Sequence, residues 1–315
     1  MALGTCVYYT CQNLTPSCLA LLEENFHVIS LPNPLHDSSL ERANLGAVTA
    51  IFGPIGYRFG RTEIQRYPNL KAVISNTTSV YHFDTGACSD AGIVVCSLVD
   101  EQEFLSTITP TAEHTLGLIH ALHRRIPSAC AIPSRYNKWD RYHHPAPERM
   151  LSQMTLGIIG MGRIGSMVAR RSVDLFKKLL WTDIAKPVHE LDWILAESDV
   201  LTLHIDGRPE NRNFVDEDFL SKMRPGSLLI NTGRGEHIDT GALLRALNEG
   251  HLGGAALDVL PGEHRPMFLD DNRAIFDYAR GNDNLILTPH IAGSTQDAWE
   301  ATQRRVIEKA IEVCT

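Results

Sequence analysis

The hexapeptide Gly160-Met161-Gly162-Arg163-Ile164-Gly165 constrains this chain more than any other stretch. It reads G-x-G-x-x-G. An apolar, strand-like run at 155–160 leads straight into it, and a helix-like run at 164–176 leads straight out. In that setting each glycine has a separate task. The first permits a tight turn, the second lets the backbone approach a phosphate group, and the third lets helix and strand pack closely. The start of the helix adds unpaired N–H groups and a positive dipole end. Glycine triplets at this spacing also arise by chance, so the strand–turn–helix context carries the weight. The next strand-like run, 179–182, ends at Asp183. A carboxylate there can grip ribose hydroxyls and repel a 2′-phosphate, which predicts NAD(H) rather than NADP(H).

The motif sits in a longer alternation. Residues 5–10, 27–31, 47–53, 71–77 and 93–98 have strand character, separated by helix-like runs such as 16–26, 62–67 and 83–91. A second series begins at 155, with strands at 155–160, 179–182, 200–205, 227–232, 255–259 and 285–288. Helical runs at 164–176, 190–196, 217–223 and 241–248 separate most of these. Strands alternating with helices predict parallel sheets covered on both faces. The expected fold is therefore α/β, with two open parallel-sheet domains. Between the series lie a helix at 111–125, closed by Pro127, and an irregular loop at 136–147. The last run, 296–313, is an amphipathic helix with no strand after it, so it is expected to return to the first domain. The expected division is 104–290 as a dinucleotide-binding domain, inserted into a substrate-binding domain built from 1–103 and 291–315.

Composition narrows the function class. Net charge is −8, with 37 acidic residues against 29 basic ones, a poor match for a nucleic-acid backbone. No apolar run approaches the roughly 20 residues of a membrane-spanning helix. The residues through Tyr9 lack a basic start before their apolar run, so no secretory signal is expected. The seven cysteines form no C-x-x-C pair and no zinc-like Cys/His cluster. They read as reduced thiols of a cytoplasmic protein without a metal site.

Three polar residues follow late strands, at the strand ends where open α/β sheets place ligands. They are Arg234 in Asn231-Thr232-Gly233-Arg234-Gly235, Glu263 shortly after Asp258, and His290 in Leu287-Thr288-Pro289-His290-Ile291-Ala292-Gly293. Singly, each also reads as a surface arginine, a loop acid or a satisfied histidine. An arginine, a carboxylate and a histidine together beside a dinucleotide motif read as a reaction site. From about Ile74 to Ala298 the chain resembles the D-isomer-specific 2-hydroxyacid dehydrogenases. The likeness is densest at 156–170, 225–235, 254–263 and 287–296. The stretch from Leu287 through Ser294-Thr295-Gln296 is closest to phosphoglycerate-dehydrogenase-like members, and Thr111-Ala112-Glu113-His114-Thr115 is similar to the helix that opens the family's cofactor domain.

That resemblance implies a flavodoxin-like substrate domain and a Rossmann NAD-binding domain. It implies reversible NAD-dependent reduction of a small 2-keto acid to a D-2-hydroxy acid. Arg234 would bind the substrate carboxylate and polarise the keto oxygen. His290 would serve as general acid and base, with Glu263 raising its pKa. Asp258 would orient the nicotinamide carboxamide. Gly160, Gly162, Arg163, Ile164, Gly165, Asp183, His204 and Thr232 complete the expected cofactor set. Thr78 and Ser79 would hold the substrate carboxylate through backbone N–H groups, and Arg58 could pair with a second anionic group. The family likeness further implies a homodimer through the cofactor domains, with the helix 111–123 as one candidate contact and a buried core helix as the other reading.

The chain departs from the family pattern in three places. Asn76-Thr77-Thr78-Ser79-Val80 stands where glycines are usual, and His204-Ile205-Asp206-Gly207-Arg208-Pro209 replaces a Leu-Pro-like stretch. The segment 263–285 is long, either a specificity loop or a surface connection. Two alternatives stay open: an NADH-binding regulator or scaffold of the same fold, and a formate- or phosphite-type dehydrogenase.

Overall fold

The computed structural model describes residues 2–32, 45–53, 57–80, 82–136, 139, 149–183, 190–263, 265 and 267–315, leaving aside the side chains of 132 and 134–136. The expected loop at 136–147 lies outside these residues, apart from Tyr136 at a helix end and the exposed Trp139. The chain divides into two compact units, Met1–Ile108 with Ser294–Thr315, and Thr109–Gly293.

The first unit holds strands β1 (Thr5–Tyr9), β2 (His27–Leu31), β3 (Val48–Phe52), β4 (Ala72–Ile74) and β5 (Val94–Cys96). They form one parallel sheet in the order β2-β1-β3-β4-β5, the flavodoxin-like order. Val7 pairs with Ile29 on one side and Ile51 on the other, so β1 and β3 are buried on both faces and read as continuous apolar runs. Helices α1 (Pro16–Asn25), α2 (Arg61–Ile64) and α3 (Thr85–Asp90) lie between them, and α4 (Gln102–Leu105) follows β5. Pro16 opens α1, where its missing N–H costs nothing, and the Asp84 carboxylate caps α3 by accepting from Ala87 N.

The C-terminal helix, Gln296–Cys314, packs into this unit. It buries Val306, Ile307 and Ala310 beside Cys18 and Leu22 of α1. Gln303 Oε1 accepts from Thr15 N, and Lys309 Nζ donates to the Ser97 carbonyl and to Glu101.

In the second unit α5 (Pro110–His123) and α6 (Ile126–Tyr136) precede a six-stranded parallel sheet. Its strands are β6 (Thr155–Ile159), β7 (Lys178–Thr182), β8 (Val200–Leu203), β9 (Leu228–Asn231), β10 (Gly254–Leu257) and β11 (Leu285–Leu287). The order is β11-β10-β9-β8-β6-β7. Strand order reverses at β6, between β7 and β8, and a reversal of this kind opens a ligand crevice at the carboxyl ends of the strands. The crossovers are α7 (Arg163–Ser172), α8 (Leu191–Glu197), α9 (Glu217–Lys222) and α10 (Thr240–Asn248). Asp216 and Asp239 cap α9 and α10.

The structure corrects the sequence reading here. The helix before Pro127 closes as expected, at His123, but a second helix follows at once where the sequence reading placed none. The chain turns at Arg125, with φ +47°, and α6 begins with Pro127 in its first turn. The segment 263–285 carries two helices, α11 (Phe268–Asp271) and α12 (Arg273–Gly281). Ile275 is fully buried, and Phe268 and Phe276 meet edge to face at 6.0 Å against the core. The apolar face of α5 is spent inside the unit, on Leu118, Ile119 and Leu122.

Ile307→Ala should remove a fully buried side chain and cost about 2–5 kcal/mol. Denaturant titration of the purified protein should show an earlier midpoint, and an unchanged midpoint would refute the packing of the C-terminal helix.

Candidate active site

The glycine turn is built by close packing. Gly160 has φ +93°, and a Cβ there would fall 2.5 Å from the His204 carbonyl oxygen. A Cβ on Gly165 would fall 2.0 Å from the Gly160 carbonyl oxygen. Both positions therefore demand glycine. Gly162 differs, because a Cβ there meets nothing within 4 Å. It faces open space at the start of α7, where N–H groups are available to a phosphate. Beside it, burial lowers the pKa of Arg163 from its ordinary value, which leaves it a cation at neutral pH. Ile164 packs partly against the core. The Asp183 carboxylate is drawn onto the same turn, where Oδ2 accepts from Met161 N at 2.9 Å. His204 shares a hydrogen bond with Thr202 Oγ1 at 3.0 Å, and burial pushes its pKa down to about 3. It is neutral at physiological pH. An open glycine, a helix start and a cation fit a pyrophosphate, and the carboxylate at the end of β7 fits a ribose.

The candidate reacting groups hang from the ends of β9, β10 and β11. Arg234 follows β9 in a turn fixed by Asn231, whose Oδ1 accepts from Gly233 N and whose Nδ2 donates to the Arg234 carbonyl. Gly207 lies against the arginine stem, since a Cβ there would be 3.0 Å from Arg234 Cγ. Glu263 is oriented by Leu260 N, which donates to Oε1 at 2.8 Å. Its Oε2 lies 2.5 Å from His290 Nδ1. Because Glu263 can only accept when ionised, His290 carries its proton on Nδ1. The bond to Glu263 raises the His290 pKa, against burial and the nearby Arg234, which lower it.

Asp258 sits under this loop, 1% exposed. Oδ1 accepts from Thr288 Oγ1 and Ile291 N, and Oδ2 accepts from Ala292 N. The backbone carbonyl of Asp258 accepts from His290 N at 2.8 Å, and His290 adopts φ +53°. The Thr288 hydroxyl gives its proton to Asp258, so it accepts from His114 Nε2 at 3.1 Å. His114 therefore reaches the site from α5, as does Thr115, whose hydroxyl pairs with that of Thr232.

The structure thus gathers Arg234, Asp258, Glu263 and His290 at adjacent strand ends, and Gly160, Gly162, Arg163, Ile164, Gly165, Asp183 and His204 around the β6 turn. In the first unit, Thr78 is exposed, Ser79 is half-buried, and the Ser79 carbonyl accepts from Thr77 Oγ1 at 2.6 Å. Arg58 is exposed. The sequence reading missed His114 and Thr288 as site residues. For His114 and Thr288 the signal was present, in Thr-Ala-Glu-His-Thr and Leu-Thr-Pro-His.

Comparison with known proteins decides the family. The profile of the D-isomer specific 2-hydroxyacid dehydrogenase, NAD binding domain, matches residues 98–292. The chain belongs to the D-isomer specific 2-hydroxyacid dehydrogenase family. It is similar to a glyoxylate reductase of Thermofilum pendens, 34% identical over 73% of this chain and 68% of that one. It is also similar to a glycerate dehydrogenase of Methylorubrum extorquens, 32% identical over 84% and 81%. A D-lactate dehydrogenase from Aquifex aeolicus, solved with NAD and lactic acid, superposes with TM-score 0.75 at 26% identity, over 98% of this chain and 93% of that one. As a member of this family the chain is an NAD-dependent oxidoreductase of small 2-hydroxy and 2-keto acids. Among the described residues, no helix is long and apolar enough to cross a membrane.

Gly162→Ala should leave thermal stability near wild type and weaken NADH binding roughly tenfold, about 1.4 kcal/mol. Gly165→Ala should instead lower the unfolding temperature. Fluorescence titration with NADH and a melting curve check the pair, and equal melting losses in both would contradict the open space at Gly162.

Proposed function

We propose that the chain reduces a small 2-keto acid to its D-2-hydroxy acid, and reverses the reaction, with His290 as the acid–base group. The bound cofactor supplies or accepts the hydride. The cofactor rests on Gly160, Gly162, Arg163, Ile164, Gly165, Asp183, His204 and Thr232 in the dinucleotide-binding unit, and Asp258, buried beneath the loop 288–292, supports the site through that loop and not by direct contact with the nicotinamide carboxamide. Arg234 binds the substrate carboxylate and polarises the keto oxygen through its planar fork. In the first unit, Thr78, Ser79 and Arg58 are assigned to substrate recognition.

The observation that carries this reading is the His290 Nδ1–Glu263 Oε2 bond. It fixes the tautomer, so the other ring nitrogen, Nε2, gives a proton to the forming alkoxide or takes one from the hydroxyl. It also raises the pKa, so the imidazolium is retained as pH approaches neutrality. Seven free thiols support a cytoplasmic location. Exposed Ile126, Trp139 and Met150 support a homodimer through the cofactor unit, on residues C-terminal to α5.

The test is a panel of 2-keto acids, glyoxylate, pyruvate and hydroxypyruvate among them, assayed with NADH. At least one should be turned over, and His290→Ala should lower that turnover by about 10²-fold or more with NADH affinity unchanged. Tight NADH binding with no turnover of any keto acid would favour the regulator reading. NAD reduction by formate or phosphite alone would favour the other dehydrogenase class.

A further inference from the structure

The turn after Arg234 carries a carboxylate that the reaction scheme leaves unused. Glu236 is half-buried in the short helical turn Gly235–His237, and its Oε1 accepts the backbone N–H of Gly262 at 3.1 Å. Gly262 immediately precedes Glu263 and has φ +75°, a conformation with few steric constraints to hold it. Glu263 itself closes the same loop from inside, through Leu260 N. The loop 260–263 is therefore tied twice, once by Glu263 and once from the neighbouring strand end by Glu236. The two loops are already in contact, since a Cβ on Gly235 would fall 1.9 Å from the Leu260 carbonyl carbon.

Glu236 is itself firmly placed. Its backbone carbonyl accepts from Asn213 N at 2.8 Å, and the next residue, His237, is 1% exposed with Nε2 bonded to the Asp206 carbonyl at 2.9 Å. A bond to the Gly262 peptide from the carboxylate of a residue whose backbone is held limits the rotation of that peptide, and with it the direction in which Glu263 leaves the chain. Charge-assisted bonds of this kind are the strong ones.

We propose that Glu236 is a positioning residue that acts through the Gly262 peptide to set where Glu263 presents its carboxylate to His290 Nδ1. The proposal rests on the reading of His290 and Glu263 as the acid–base pair. The charged groups facing His290 are Glu263, Arg234 and Asp258, so Glu236 acts by placement and not by direct charge.

The test follows the His290 ring by proton NMR titration of the full chain, with the resonance assigned by its loss in His290→Gln. Glu263→Gln is the reference and should lower the midpoint by about one pH unit. Glu236→Asp keeps the charge but is one methylene too short to reach Gly262 N. Glu236→Gln loses the charge but keeps an acceptor oxygen at full reach. The proposal requires the His290 midpoint of Glu236→Asp to fall below that of Glu236→Gln, by a clear part of the reference shift. Equal midpoints, or a lower one for Glu236→Gln, overturn it. If Glu263→Gln leaves His290 unmoved, the acid–base pair itself fails, which is a separate outcome from failure of the Glu236 role.

Discussion

The reacting end of the second unit hangs on one buried carboxylate. A carboxylate removed from water costs several kcal/mol unless its oxygens are satisfied. Asp258 meets that condition with the Thr288 hydroxyl and the amides of Ile291 and Ala292. These donors belong to one short stretch after β11, so satisfying the charge also folds the stretch into a single conformation. His290 sits inside it with a positive φ, which costs a non-glycine residue about 1–2 kcal/mol. The bond from His290 N to the Asp258 carbonyl and the flanking amides offset that cost. The backbone of His290 is thereby held where its ring reaches Glu263.

Opposing effects then decide the histidine's charge. Burial and Arg234 favour the neutral ring, and the short bond to Glu263 favours the imidazolium. The bond wins, and the pKa rises. His204, buried without a carboxylate partner, goes the other way, to about 3. Two histidines, one after β8 and one after β11, are thus shifted in opposite directions, which suits a fixed neutral ring at His204 and the proton exchange proposed for His290. The glycines divide in the same manner. Gly160 and Gly165 let the chain pack on itself, and Gly162 leaves room for something that is not protein.

Much of this was legible in the sequence because it rests on local rules. The strand-to-glycine-to-helix run announced the turn at Gly160, and the apolar strands β6, β8 and β9 announced a sheet buried on both faces. The helices α11 and α12 were hidden for a physical reason. Their charged residues, from Asp270 to Arg280, interrupt apolar anchors such as Ile275 and Phe276, and a segment between two strand ends reads as a connection. Pro127 marked the end of α5, but a proline near the end of one helix also suits the first turn of another, so α6 went unread. His114 and Thr288 stood in stretches the sequence singled out, but their bonds to each other and to Asp258, like that of Glu236 to Gly262, join residues distant in sequence, and spacing along the chain says nothing of such pairs.

In the proposed reaction a proton passes through His290 in both directions. The pH dependence of kcat/KM measured both ways reports the ionisation of the free enzyme and reads that passage. One shared midpoint is expected, above the ordinary histidine value of about 6.5. Keto-acid reduction should be lost as pH rises through it, and hydroxy-acid oxidation should be lost as pH falls through it. Profiles that share the same limb, or that show no ionisation near this range, would contradict the account.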